Sequence, residues 1–346
     1  MHTTYESEHV TLSSVESGKT KGLFFKIKNN EKHHAISAVV LGEIHKGIDH
    51  ISREGDADFI CFYPEFDRLH VGADIKEFVG GISPSWIRKH TYDGVSLDIK
   101  IKELSARMKT LSVMFGERYG GSVEWPLMAD YVICDDRAGI QFTESQLGII
   151  PGWSGILNVM IKASPFIAEY MAKTGNRINA EQMRNLGIAD DIVVVEIPPE
   201  SADYKEKCEA LFLDAILNAV TKDARKREKA GVDLEPFIGL DKEIRARTDV
   251  ESYRELYTAY ESGDKTKEEV KKALKEKGKP LAPLAVEAVD EFVDAFRTLE
   301  KEDLRHWPGL GYYEADLCNM LMQTEDRQIG VNAVLNREII AVFKGE

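Results

Sequence analysis

The sequence predicts an α/β fold with a helical C-terminal region, and three features of the chain support this prediction. Residues 22–28 alternate between apolar and polar side chains, as a half-buried strand does, and residues 58–63 form an apolar run typical of a buried strand. A pattern with helical periodicity lies between them. Beyond Pro198, apolar residues recur only at helical spacing. Strands that alternate with helices indicate a sheet covered by helices.

The first half of the chain continues this alternation. The helix between the two strands is predicted over residues 36–51, where apolar residues follow the spacing of an amphipathic helix. Residues 80–86 are rich in turn formers, and a second helix is predicted over residues 95–111. A short apolar strand is predicted at residues 111–115, and it leads into a turn that contains three glycines.

Two glutamates follow this turn, each close to the end of a predicted element. A helix is predicted to start near Ser122, so that Glu124 lies in its first turn, where the positive end of a helix favours a carboxylate. Residues 131–134 and 140–142 are predicted strands. Glu144 then lies on the loop that leaves the second of these strands.

The remaining elements are mostly helices. Residues 152–171 have a helical pattern, and Asn179 is predicted to cap another helix before a last strand at residues 191–196. We therefore predict a core over residues 1–200 and a helical region over residues 201–346.

The helical region contains a charge-dense stretch at about residues 222–278. Such a composition is typical of solvated helices or linkers. Apolar side chains at helical spacing return after it, so the stretch has the character of an insertion. A lid, an oligomer contact and a surface appendage are all open as its role.

Composition narrows the classes of function. Of the 346 residues, 43% are hydrophobic and 30% are charged, and no apolar run reaches the roughly 20 residues of a membrane span. The net charge of −14 disfavours nucleic acid and anionic membrane surfaces as partners. The N-terminus shows no secretory signal, so we expect a cytoplasmic protein. Four scattered cysteines are expected to be buried and free, and nine histidines without metal-ligand spacing predict no metal site.

The two glutamates and two glycine-bearing turns suggest one kind of chemistry. Glu124 and Glu144 can divide general acid and general base catalysis if their surroundings move their pKa values apart. The turns at residues 70–74 and 120–121 can each aim a backbone N–H at a developing oxyanion. Addition of water next to a carbonyl group needs all four parts.

Five motifs, in this order and at this spacing, resemble the crotonase, or enoyl-CoA hydratase/isomerase, superfamily. The resemblance covers residues 20–196 and resumes near Lys279. The motifs are residues 70–77, residues 120–124 followed by Asp130, residues 144–152, Thr174 and Gly175 with Gly187, and residues 324–331.

The resemblance implies a fold and a class of ligand. The fold is a spiral of strand-strand-helix units that forms two roughly perpendicular sheets, followed by C-terminal helices used for assembly as a homotrimer or a dimer of trimers. The substrate is an acyl-CoA thioester, in which coenzyme A is part of the substrate, and no tightly bound cofactor is implied.

The resemblance also implies roles for individual residues. The backbone N–H groups of Val71 and Gly121 form the oxyanion hole, which binds the thioester oxygen as it gains enolate charge. Glu124 and Glu144 hold a water molecule and exchange protons with it and with the α-carbon. The implied contacts to coenzyme A are Ala73, Asp74, Ile75 and Lys76.

Retention of both glutamates favours hydration of an enoyl-CoA or a cyclic dienoyl-CoA, or the reverse dehydration. Two other reactions on the same fold stay open, namely double-bond isomerisation and the opening of an oxo-cycloalkenoyl-CoA ring by a hydrolase. A non-catalytic scaffold subunit is an alternative of another class.

Several side chains near the motifs have two interpretations. His70 adjoins the oxyanion loop and is either catalytic or packed away from it. Trp125 and Trp153 each directly follow a motif, and they either line an acyl pocket or pack in the core. Ser122 stands where relatives have a third glycine, and Thr143 stands where they have proline.

Overall fold

A computed structural model describes residues 2–29, 33–54, 56–221, 249–278, 281–299, 307–338 and 341–345. The chain separates into two compact units, each built from three segments. Unit 1 comprises Met1–Ala73, Ser96–Ile140 and Ile178–Asp233, and unit 2 comprises Asp74–Val95, Gln141–Arg177 and Leu234–Glu346. The boundary near residue 200 stays a prediction.

Unit 1 is built on two sheets. Their strands are β1 (His2–Glu6), β2 (Val10–Ser17), β3 (Thr20–Ile27), β4 (Phe59–Tyr63), β5 (Leu69–His70), β6 (Lys109–Met114), β7 (Glu117–Tyr119), β8 (Tyr131–Asp135), β9 (Gly139–Gln141), β10 (Ile178–Asn179) and β11 (Asp191–Val193). The larger sheet has the order β1-β2-β3-β4-β6-β8-β11, and the smaller sheet has the order β10-β9-β7-β5. From β3 to β11 the larger sheet is parallel, and its central strands β4 and β8 are buried throughout, as their apolar sequences require.

Helices occur in both units. The described α-helices are α1 (Ala38–Glu54), α2 (Pro84–Ser105), α3 (Gly121–Leu127), α4 (Gly155–Lys162), α5 (Pro165–Thr174), α6 (Ala180–Asn185), α7 (Tyr204–Thr221), α8 (Val250–Glu261), α9 (Lys267–Lys277), α10 (Pro283–Thr298), α11 (Trp307–Leu321) and α12 (Glu325–Leu335). The described part of the chain also contains the 3₁₀ helices Ile75–Phe78 and Glu144–Leu147. The predicted α/β class and the C-terminal helices are confirmed.

Two helix predictions were wrong in their bounds. The helix predicted over residues 95–111 spans Pro84–Ser105, because the Ser83 hydroxyl accepts a hydrogen bond from the Trp86 N–H (3.2 Å) and proline is well suited to a first helical turn. The pattern at residues 152–171 divides into α4 and α5, because Ser164 caps α5 directly before Pro165.

Other local predictions are confirmed. Asn179 caps α6 in a capping box, in which its side chain and that of Gln182 each accept a bond from the other residue's N–H. All four cysteines are buried, and none of them forms a disulfide bond. One of them, Cys208 on α7, packs with Phe212 in the aromatic core of unit 1.

The charged stretch at residues 222–278 is only partly described. Residues 222–248 lie outside the described residues, whereas α8 and α9 occupy most of residues 249–278. The role of this stretch therefore stays a prediction. Within the described ranges, no helix is both long enough and apolar enough to cross a membrane.

Candidate functional site

In the glycine loop of unit 1, residues 70–74, backbone hydrogen bonds fix the directions of the Val71 and Ala73 N–H groups. The Val71 N–H donates to the His33 carbonyl (3.0 Å), so this N–H is already engaged within the protein. Ile36 and Ala73 form a parallel bridge in which the Ile36 N–H donates to the Gly72 carbonyl (2.9 Å). In a parallel bridge the partner bonds to the residues on either side, so the N–H of Ala73 points away from Ile36. The N–H available in this loop is therefore that of Ala73, not that of Val71.

The backbone of this loop lies directly against the second glycine turn. A Cβ atom on Gly72 would lie 2.2 Å from the Gly121 nitrogen, so the contact is possible only because residue 72 is glycine. Gly120 precedes α3 with a φ of 57°, and Gly121 is the first residue of α3. A first-turn N–H has no acceptor inside its own helix. The contact brings the two predicted N–H segments of unit 1 together.

Glu124 lies on α3 of unit 1, as the sequence predicts. Its side chain is 3% exposed and sits in the first turn of the helix. Trp125, the next residue, packs against Phe25 and Phe62, with a ring-centroid distance of 4.8 Å to Phe62. Trp125 is therefore a core residue that fixes α3 on the larger sheet.

Glu144 lies in unit 2, where it is the first residue of the 3₁₀ helix Glu144–Leu147 rather than part of an irregular loop. Its side chain is 7% exposed. Gly148 ends the 3₁₀ helix with a φ of 78°, a conformation that favours glycine. The turn therefore depends on the Gly148 of the sequence motif.

The C-terminal helix α12 supports the turn that carries Glu144. A Cβ atom on Gly330 would lie 2.5 Å from the carbonyl carbon of Leu147, and one on Gly148 would lie 2.6 Å from that of Asp326. Asp326 is itself held by the backbone N–H groups of Lys344 (2.6 Å) and Gly345 (3.0 Å). The motif at residues 324–331 thus packs against the Glu144 turn.

The residues predicted to contact coenzyme A differ in their surroundings. Asp74 caps the 3₁₀ helix Ile75–Phe78, because its side chain accepts a hydrogen bond from the Lys76 N–H (3.2 Å). Ala73 and Ile75 are half-buried, and Lys76 is exposed. Asp74 therefore has a structural role in unit 2, and contact of these residues with coenzyme A stays a prediction.

His70 packs inside unit 1. Its Nε2 bonds to the Asp67 carbonyl (2.8 Å), and its ring stacks on that of His34 with centroids 4.6 Å apart. Burial holds the pKa of His70 well below its usual range, so the ring is neutral at neutral pH. The packed interpretation of His70 is favoured over the catalytic one.

Ser122 connects the two glycine turns. Its hydroxyl accepts a hydrogen bond from the Tyr119 N–H (2.9 Å) and donates to the His70 carbonyl (2.8 Å). His70 and Ser122 each lie close in sequence to a glycine of the Gly72 and Gly121 contact. The serine that replaces a family glycine therefore fixes one turn on the other.

Ser122→Ala is expected to loosen this connection. The buried His70 carbonyl and the part-buried Tyr119 N–H lose this partner, which costs about 1–3 kcal/mol of unfolding free energy for the buried group and less for the other. Denaturant unfolding measures this loss, and Ser14→Ala, which removes an exposed hydrogen bond to the His2 carbonyl, is the matched control. Equal unfolding free energies for the two variants would contradict the connecting role of Ser122.

His90 is a buried histidine of unit 2 that the sequence analysis did not single out. Its ring stacks on Trp86 with centroids 5.0 Å apart and also packs against Phe78 and Trp153. The Trp153 indole N–H donates to the His90 carbonyl (3.2 Å), so Trp153 is a packed residue as well. Burial lowers the pKa of His90 to about 4. The sequence contains a signal for this stacking, because His90 lies four residues after Trp86 on the same helix.

The lowered pKa predicts a loss of stability in acid. Between the unfolded value of about 6.5 and the folded value of about 4, the unfolded chain binds a proton that the folded chain excludes, so stability falls as the pH falls through this window. In His90→Phe this difference in proton binding is absent. Its unfolding free energy should therefore fall by on the order of 3 kcal/mol less than that of the wild type as the pH falls through this window. Denaturant unfolding at a series of pH values measures it. The exposed His2 offers the control His2→Phe, and parallel pH profiles for wild type and His90→Phe would contradict the prediction.

One group of possible metal ligands occurs among the described residues. Glu8, His9 and Glu43 lie within ligand distance of one another in unit 1. Glu43 already accepts hydrogen bonds from the Ser7 hydroxyl (2.6 Å) and the His9 N–H (2.8 Å). These bonds account for the cluster without an ion.

Similar proteins are known by sequence. A carnitinyl-CoA dehydratase from Proteus mirabilis is 37% identical over 83 residues, which is 24% of this chain and 32% of that protein. The fatty acid oxidation complex subunit alpha of Pseudomonas syringae pv. tomato is 26% identical over 223 residues, covering 63% of this chain and 28% of that protein. The chain thus spans about a third of the length of these curated relatives.

Solved structures share the fold. An enoyl-CoA hydratase from Mycobacterium avium subsp. paratuberculosis aligns with a TM-score of 0.58 at 13% identity, covering 95% of this chain and 97% of that one. An enoyl-CoA hydratase from Bacillus anthracis aligns with a TM-score of 0.51 at 17% identity, covering 97% and 99%. At these identities the likeness shows the fold alone.

The family model described as enoyl-CoA hydratase/isomerase matches residues 22–225, which is more than half of the chain. The match includes both glycine turns and both glutamates. The chain therefore belongs to the enoyl-CoA hydratase/isomerase family.

Proposed function

We propose that the protein is an acyl-CoA enzyme that adds water across a double bond conjugated to a CoA thioester. The observation that carries this proposal is the backbone contact between Gly72 and Gly121. That contact supports an oxyanion hole made of the N–H groups of Ala73 and Gly121. Two N–H donors aimed at a thioester oxygen stabilise the enolate that forms when water attacks the β-carbon.

Glu124 and Glu144 are the proposed acid-base pair. One carboxylate accepts the proton of the attacking water, and the other delivers a proton to the α-carbon of the enolate. The family resemblance supports these roles, and both side chains are buried. The name of the dehydratase relative agrees with the same chemistry run in reverse.

The proposal is less specific about coenzyme A binding and assembly than about the reaction. We propose that Ala73, Ile75 and Lys76 line the path of coenzyme A, with Asp74 shaping the turn beside them, and that no other cofactor is needed. A homotrimer or a dimer of trimers is the proposed assembly, and light scattering of the purified protein measures it.

Mass spectrometry in ¹⁸O-labelled water tests the reaction. The purified protein is incubated with a panel of linear, aromatic-derived and alicyclic enoyl-CoA thioesters. We expect a product that has gained one labelled water and kept its thioester. A product of unchanged mass would assign an isomerase instead, and a free acid a hydrolase. Absence of both turnover and CoA binding across the panel would favour a scaffold subunit.

A further inference from the structure

Unit 1 contains a partly open cavity of about 40 Å³. Its apolar walls come from α3 and the strands β3, β4 and β6, and its polar walls include His34, His70, Arg118 and Ser122. One water occupies about 10–15 Å³ on this measure, so the cavity has room for two or three waters or for one small ion. It is too small for an acyl chain.

Arg118 brings a buried positive charge to this cavity. Its side chain donates to two backbone carbonyls, those of Ser122 (3.2 Å) and Val113 (3.3 Å). Burial lowers its pKa to about 10, so it stays protonated at neutral pH. Within the described ranges its Nε is buried and has no hydrogen-bond acceptor. A buried charge without a counter-charge is strongly unfavourable.

Asp135 is the carboxyl group that acts electrostatically on Arg118. Its oxygens, however, accept hydrogen bonds from other groups. Asp135 accepts hydrogen bonds from the backbone N–H groups of Gly116 (2.7 Å) and Arg137 (3.3 Å). Burial also raises its pKa, which disfavours its charged form. The positive charge of Arg118 is therefore not balanced by a direct partner in the described chain.

His34 brings a second unsatisfied atom to the cavity. Its Nε2 lies 2.9 Å from a carboxylate oxygen of Asp67 and must carry a proton there, which leaves Nδ1 as an acceptor in the neutral ring. Nδ1 is buried without a partner among the described residues. The groups that face His34 are Asp67, the stacked ring of His70, and the charges of Arg118 and Glu65. A proton on Nδ1 would convert it into a donor.

We propose that this cavity binds one small monovalent anion of the halide class, and that the anion enters together with a proton taken up by His34. The anion then lies between two donors, Arg118 and the protonated His34. Asp67, whose other oxygen forms an ion pair with Lys205 (2.6 Å), accepts the hydrogen bond from Nε2 of His34. The proton comes from solvent and no bond to the anion is formed. Anion and proton enter as a neutral pair, so the net charge of the unit does not change. This inference does not depend on the proposed reaction.

The first test compares the stability of the full chain in chloride and in gluconate at constant ionic strength. Gluconate is too large for the cavity, so only chloride should raise the denaturant midpoint. Burial holds the pKa of His34 below its usual value. Because a proton accompanies the anion, the chloride effect should grow as the pH falls and should be larger at about pH 6 than at about pH 8. Equal midpoints in the two salts at both pH values would overturn the proposal.

Three variants locate the effect. Arg118→Met replaces the guanidinium with a shorter, uncharged side chain and should lose the chloride-dependent rise. Arg137→Met, which removes an exposed arginine, is the matched control and should keep it. His34→Gln should keep a chloride effect that no longer depends on pH. A chloride effect that survives Arg118→Met would place the anion elsewhere and overturn the proposal.

A crystal of the wild-type protein grown in sodium bromide tests anion binding in the cavity even if Arg118→Met fails to fold. The proposal predicts an anomalous bromide peak next to Nε of Arg118 and Nδ1 of His34. Density for water alone in the cavity, without an anomalous signal, would overturn it.

Discussion

Glu124→Gln and Glu144→Gln are each expected to lower turnover by about 10²- to 10⁴-fold, the contribution of a positioned acid-base group. Glutamine keeps the shape of the side chain but can neither accept the proton of water nor deliver one to carbon. Both side chains are buried, so the replacements do not alter an exposed surface. Binding of an acyl-CoA product should be nearly unchanged, because that affinity comes from the rest of the ligand.

The matched control for these variants is Glu16→Gln, which changes an exposed glutamate of β2. Steady-state kinetics and calorimetric titration with a 3-hydroxyacyl-CoA separate turnover from binding. The double variant should lose little more than the more damaging single variant, because groups that act on one step are not additive. Full activity in both single variants would remove the acid-base mechanism.

Gly72→Ala is expected to lower turnover by at least about 10²-fold, the cost of removing one oxyanion donor. The new methyl group would lie 2.2 Å from the Gly121 nitrogen, so one backbone segment must move. A shift of this kind separates the two N–H groups that are proposed to share the thioester oxygen.

Gly81→Ala is the control for Gly72→Ala, because a Cβ atom at residue 81 meets nothing within 4 Å and residue 81 does not have a positive φ. Unfolding curves of both variants show whether the fold survives. A folded Gly72→Ala variant with wild-type turnover would contradict the proposed oxyanion hole.

Local signals in the sequence were sufficient for much of the fold. The capping box at Asn179 and the apolar runs of β4 and β8 depend on neighbouring residues, so their elements were predicted correctly. The hairpin of β1 and β2 was missed, because β1 is exposed along most of its length and has no apolar face to recognise. The early start of α2 had a signal in Ser83 and Pro84 that went unused.

The candidate site was predictable in its motifs but not in its backbone directions. Glu124 was placed correctly in the first turn of α3, because a helix start is a local property. Whether the N–H of Val71 or that of Ala73 is available depends on the bridge with Ile36. The loop sequence alone does not indicate such pairing with a distant residue. Arg118 was overlooked because its burial results from the packing of distant strands.

A crystal structure with a bound 3-hydroxyacyl-CoA product tests the central claim most directly. The account predicts that the thioester oxygen lies about 2.7–3.1 Å from the backbone nitrogens of both Ala73 and Gly121, the distances of an oxyanion hole. The Val71 N–H should remain bonded to the His33 carbonyl. A thioester oxygen bound elsewhere, or bound by only one of the two N–H groups, would contradict the account.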